Sequence, residues 1–168
     1  MPSILFVCTA NQFRSPLAAA FFVNCLDQDN TLETWRVESA GTWAIPNLPA
    51  ASLALKAADR LGLIGLKAHR TRLVDKALLD QFDLILVMEI GHLEAIRIEF
   101  PSVRERLSLL SEVVDGVPYS ILDPADYGRD PQEVVSELHS LIQRGAKKIS
   151  ILAQSLHDAR PVSDQGVT

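Results

Sequence analysis

Apolar positions along the chain recur with two periods in turn, and the alternation predicts strands and helices in succession. The unbroken run Ile4-Leu5-Phe6-Val7 after Ser3 reads as a strand covered on both faces. Polar residues follow from Cys8 to Ser15, and a helical spacing from about Arg14 to Asp27 then turns Leu17, Ala20, Phe21 and Phe22 inward. Cys25 falls on this helix as a packing residue. Beyond the polar stretch Asp27–Thr31, residues Thr34 to Ser39 alternate as a second strand, and Ser39-Ala40-Gly41-Thr42 reads as a sharp turn with Gly41 at its bend. Leu53, Leu55, Ala57, Ala58 and Leu61 suit a helix from about Ala50 to Leu63, ended by Gly62 or Gly65. Asp83-Leu84-Ile85-Leu86-Val87-Met88 is a second buried run, and a helix from about Gly91 to Ile98 must stop before Pro101. Arg106 to Leu110 supplies a fourth strand. A last helical pattern, Pro131 to Leu156, carries Val134, Val135, Leu138, Leu141, Ile142, Ile149, Ile151 and Leu152. Strands alternating with helices predict an α/β fold with a parallel sheet and right-handed crossovers.

Composition narrows the class. A length of 168 residues suits a single domain over 1–168 with a sizeable core, and 48% hydrophobic against 22% charged residues reads as globular. No apolar run reaches the roughly 20 residues that cross a bilayer, and Met1-Pro2-Ser3 lacks the basic opening of a signal peptide. The expected location is therefore cytoplasmic. A net charge of −5 argues against nucleic-acid or membrane-surface partners. Cys8 and Cys25 are too few for a disulfide framework and lack metal-ligand spacing.

The stretch Cys8-Thr9-Ala10-Asn11-Gln12-Phe13-Arg14-Ser15 carries the chemistry. It joins a strand's carboxyl end to a helix N-terminus, where free backbone N–H groups and the helix dipole favour an oxyanion. Arg14 adds a guanidinium fork that fits two oxygens of such an anion. The same field favours the thiolate of Cys8. Ser15 can donate a hydrogen bond to that sulfur when it leaves. Nucleophile, anion cradle and leaving-group stabiliser in one loop point to phosphoryl transfer through a covalent thiophosphate.

Val7-Cys8-Thr9-Ala10-Asn11-Gln12-Phe13-Arg14-Ser15-Pro16 resembles the phosphate loop of the low-molecular-weight protein tyrosine phosphatase family. Four further stretches match in the family's order: Ser39-Ala40-Gly41-Thr42, His69-Arg70-Thr71-Arg72, Phe82 to Met88, and Asp123-Pro124. The resemblance implies a three-layer domain, phosphotyrosine protein phosphatase I-like, whose four strands take the order 2-1-3-4. The site then lies at the switch point beside the first strand. It further implies Cys8 as nucleophile, Arg14 and the backbone of Thr9, Ala10, Asn11, Gln12 and Phe13 as phosphate binders, Ser15 as the sulfur's partner, and Asp123 as general acid. Asp126 competes for that last role. Ser39 and His69 match the residues that support the loop through Asn11, which is expected at positive φ. Trp43 or Leu48 matches the hydrophobic wall of the substrate cleft. No cofactor and no metal are implied, and the partner is a phosphorylated protein or a small phosphomonoester.

The chain also departs from the family's pattern. Ala10 stands where many relatives have Gly, Phe13 where many have a second Cys, and Gln12 where relatives carry an apolar residue or, in the protein-arginine-phosphatase branch, Thr. Ala125-Asp126 displaces the aromatic that follows Asp-Pro, so Tyr127 takes its place. Phosphotyrosine is the substrate first in order, then phosphoarginine. An arsenate reductase needs cysteines beyond Cys25, and a non-catalytic phosphoprotein-binding module needs neither the thiol nor the acid.

Overall fold

The computed structural model describes residues 1–161; residues 162–168 of the expected domain lie outside them. The elements run β1 (Ser3–Cys8), α1 (Arg14–Gln28), β2 (Arg36–Gly41), α2 (Ser52–Leu61), α3 (Lys76–Leu79), β3 (Leu84–Val87), α4 (Ile90–Glu99), β4 (Leu107–Leu109), α5 (Leu110–Asp115), α6 (Pro124–Tyr127) and α7 (Pro131–Ala159). All strand pairs are parallel, and the four strands lie in the order β2-β1-β3-β4.

The continuous apolar runs follow from burial on both sides of this sheet. Ile4, Phe6 and Cys8 face a core built with α1, α2, α5 and α7, while Leu5 and Val7 face one built with α3 and α4. β1 is central, paired with β2 through Cys8 opposite Gly41 and with β3 through Val7 opposite Val87. The loop after β1 therefore emerges where the chain's crossovers diverge to either side, at the carboxyl ends of the strands. Helix α7 reaches α5 closely at Gly145, where an added Cβ would stand 2.4 Å from a Val114 methyl.

Several expectations are corrected. β2 starts at Arg36 rather than Thr34, because Leu32–Thr34 close into a 3-10 turn first. Gly41 is the last residue of β2, not a turn bend. Its φ is not positive, and it is needed because a Cβ there would lie 2.4 Å from the Thr9 carbonyl oxygen. Leu110 opens α5 instead of extending β4. Ile151 is 61% exposed, because it falls two residues past Ile149, off the stripe formed by Leu138, Ile142, Gly145, Ile149 and Ala153. Leu53 is exposed, lying outside the Ala54-Ala57-Ala58 stripe of α2, and so is Leu61, the helix's last residue. Helices α3, α5 and α6 are single short turns whose few residues set no periodicity in the sequence.

Candidate active site

Residues 9 to 13 loop from β1 to the first turn of α1, and Cys8 sits at the strand's end, 2% exposed. Among the described residues, the backbone N–H groups of Ala10, Asn11, Gln12 and Phe13 donate to no protein atom. Such orphan donors before a helix N-terminus form a concave anion site. Arg14 closes it from below, wholly buried. Its Nη1 donates to Glu89 and, at 2.8 Å, to the Ile121 carbonyl, and its Nη2 lies 3.2 Å from Asp123 Oδ2. Its Nε, also buried, is the one side-chain nitrogen or oxygen among the described residues that is enclosed without a partner.

The loop's shape is fixed from Asn11. This residue adopts φ +58°, a left-handed conformation that Asn tolerates better than most side chains. Its Nδ2 donates to Ser15 Oγ and to Ser39 Oγ, each at 2.9 Å, and its Oδ1 accepts from Arg72 N at 2.9 Å. His69 Nε2 donates to the Asn11 carbonyl at 2.8 Å. Burial is the first cause that pushes the His69 pKa down, with Arg72 and Arg70 adding to it against the pull of that carbonyl, a balance that disfavours the charged ring. The Gln12 carbonyl accepts from Ala51 N at 2.8 Å, and its side chain reaches the Pro49 carbonyl at 3.3 Å. The φ of Ala10 is not positive, so a Cβ is accommodated there. Phe13 turns its ring to the core on the α1 side.

Cys8 Sγ lies 3.0 Å from Ser15 Oγ. Asp123 caps α6, its Oδ1 accepting from Ala125 N at 2.8 Å, while the Tyr127 N–H reaches the Asp123 carbonyl at 3.2 Å. Asp126 is exposed and makes no contact with Arg14. Trp43, expected in the cleft wall, is 85% exposed; its N–H bonds the Thr9 carbonyl at 2.9 Å, holding it beside the loop. It borders a groove of about 720 Å³ that runs from Thr9 along one face of α4 to Phe100. Tyr127 is likewise exposed.

Two residues of this assembly lie outside the sequence reading. Glu89 pairs with Arg14, and His92 Nε2 lies 2.8 Å from Thr9 Oγ1. Their only signal is placement: a carboxylate and an imidazole where the apolar run of β3 gives way to α4, at the strand edge next to β1.

Residues 3–160 match the model of the low molecular weight phosphotyrosine protein phosphatase family. The chain belongs to this family. It is accordingly a phosphatase. A protein-arginine-phosphatase of Geobacillus stearothermophilus is 35% identical over 87% of this phosphatase and 95% of its own length. The low molecular weight protein-tyrosine-phosphatase Etp of Escherichia coli K12 is 30% identical, covering 88% and 95% respectively. Among solved structures, the tyrosine phosphatase Wzb from Escherichia coli K30 in complex with sulphate superposes with a TM-score of 0.75 at 33% identity, covering 89% of this chain and 99% of that one.

Proposed function

We propose that this phosphatase hydrolyses protein phosphotyrosine through a phosphocysteine on Cys8. The observation that carries the reading is the orphaned Nε of buried Arg14 beside unpartnered loop amides. A buried donor left without an acceptor costs about 1–3 kcal/mol, and a tetrahedral dianion in the loop supplies the acceptors.

The phosphoryl group takes Nε and Nη2 of Arg14 as a fork, and so displaces Asp123 from Nη2. The Cys8 thiolate attacks phosphorus in line: the S–P bond forms as the ester P–O bond breaks, and protonated Asp123 gives its proton to the departing phenolate. Water then attacks the phosphocysteine. Asp123 takes the water's proton, the S–P bond breaks, and inorganic phosphate and the thiolate are released, with the Ser15 hydroxyl donating to the sulfur. Trp43 and Tyr127 adjoin the loop and the acid as exposed aromatic surface that suits an aryl ester.

The second reading is phosphoarginine, favoured by the arginine-phosphatase relative. Matched phosphotyrosine and phosphoarginine peptides separate the two. Higher kcat/KM is expected on phosphotyrosine, with Gln12→Thr narrowing the gap; the reverse preference in the wild type transfers the assignment to arginine. Asp123→Asn is expected to lose most rate on aryl esters with poor leaving groups, and Asp126→Asn to lose little. Equal losses across leaving groups in Asp123→Asn would remove it as the acid.

A further inference from the structure

We propose that His92 is a positioning residue that fixes Thr9 as a hydroxyl donor to the phosphoryl group in the loop. The inference rests on the loop being the phosphoryl site.

His92 is buried on α4, and the backbone N–H of Glu89 donates to its Nδ1 at 3.1 Å. A backbone N–H only donates, so Nδ1 presents a lone pair. The proton of the neutral ring therefore sits on Nε2, which lies 2.8 Å from Thr9 Oγ1 and donates to it. Burial, the first cause, pushes the His92 pKa down to about 4, with Arg14 adding to it while Glu89 and Asp123 oppose, in keeping with a neutral imidazole.

Thr9 Oγ1 accepts that hydrogen and lies 3.4 Å from Arg14 Nη2, a second donor. A hydroxyl has two lone pairs and one proton. With both acceptor sites facing donors, Thr9 has only its proton to offer, and no acceptor among the described residues takes it. Thr9 directly follows Cys8 and precedes the four unpartnered amides. The acceptor that arrives there with substrate is a phosphoryl oxygen.

The same helix end holds the other side of the loop. The Glu89 side chain accepts from the backbone of His92 and from Arg14 Nη1. One reciprocal cap at the start of α4 therefore orients both Thr9 and Arg14.

The test combines turnover of para-nitrophenyl phosphate with calorimetric binding of inorganic phosphate. His92→Asn keeps an acceptor near the Glu89 N–H but falls short of Thr9; His92→Gln restores an N–H at about the reach of Nε2. Thr9→Val removes the hydroxyl at constant shape, and Thr9→Ser keeps it. One hydrogen bond to a charged oxygen predicts a loss of about 10- to 100-fold in kcat/KM for His92→Asn and for Thr9→Val. The double variant should lose no more than either alone, phosphate affinity should fall in parallel, and Gln and Ser should recover most of the loss.

Multiplicative losses in the double variant, or wild-type rates in Thr9→Val, would overturn the proposal. Thr9→Val leaves His92 in place, so its result stands even if a His92 variant fails to fold. A wild type that binds phosphate in a His92-dependent way without turnover keeps the inference and removes the catalytic reading. A wild type that turns over with no effect of either substitution does the opposite.

Discussion

The Ser15 hydroxyl has one hydrogen and faces two acceptors, Cys8 Sγ at 3.0 Å and the Ala40 carbonyl at 3.2 Å, while Asn11 Nδ2 fills one of its lone pairs. It can therefore turn from the carbonyl to the sulfur without breaking the Asn11 contact. We assign that donor to the step in which sulfur leaves. Ser15→Ala is expected to slow phosphocysteine hydrolysis about 10- to 100-fold, the worth of one charge-assisted hydrogen bond. Rapid mixing with para-nitrophenyl phosphate should then show a burst of phenolate of about one per enzyme; a slow reaction with no burst would assign Ser15 to the attack step instead. At this scale Cys8, Arg14 and Ser15 are legible in the sequence because one short loop holds them all. Glu89 and His92 are not, since they reach the loop only through the pairing of β3 with β1, some 75 and 83 residues along the chain.

At the scale of elements, the start of α4 joins structure to chemistry, and its imidazole makes stability depend on pH. His92 has an ordinary pKa of 6.5 that the fold lowers to about 4. Between these values the unfolded chain takes up a proton that the folded chain refuses, so stability falls as pH drops through that window and is level above it. From pH 6.5 to 5 this group alone contributes a loss of about 1–2 kcal/mol, and His69, whose pKa is also lowered, adds a loss of the same sign. Urea midpoints at both pH values check this: the drop should be smaller in His92→Asn, and an equal drop would contradict the buried neutral ring. The core-facing helices α1 and α7 and the strand runs are legible because their apolar periods are long. Helices α3, α5 and α6 are set by caps and contacts from distant segments, and Gly41 by the approach of the Thr9 carbonyl, which no local pattern encodes.

Over the whole molecule, the central strand β1 has polar machinery at both ends. Opposite the loop, Asp83 is buried and accepts from Ser3 N at 2.9 Å, Ser3 Oγ at 2.8 Å, and His157 Nδ1 and Arg160 Nη1 at 3.0 Å each. This knot ties the start of β1 to the approach to β3 and to the end of α7. Asp83→Ala strands several buried donors and is expected to cost about 3–5 kcal/mol, a fall of roughly 6–20 °C in Tm for a domain of this size. Because the knot lies a strand's length from Cys8, kcat well below the new Tm should hold. A fall in kcat under those conditions would show that the far end of β1 controls the loop. The layered α/β architecture with order 2-1-3-4 follows from the alternation of elements together with the family resemblance. The Asp83 knot was not legible, because it joins residues 3, 83, 157 and 160.

The central claim is that Cys8 is the nucleophile of a phosphatase whose loop binds the dianion by itself. It is tested most directly by hydrolysis of para-nitrophenyl phosphate, with EDTA present, by the wild type and Cys8→Ser, each also titrated with inorganic phosphate. Turnover is expected in the wild type, with a loss of at least about 1000-fold in the variant and phosphate binding in both. Turnover that survives in Cys8→Ser would contradict it.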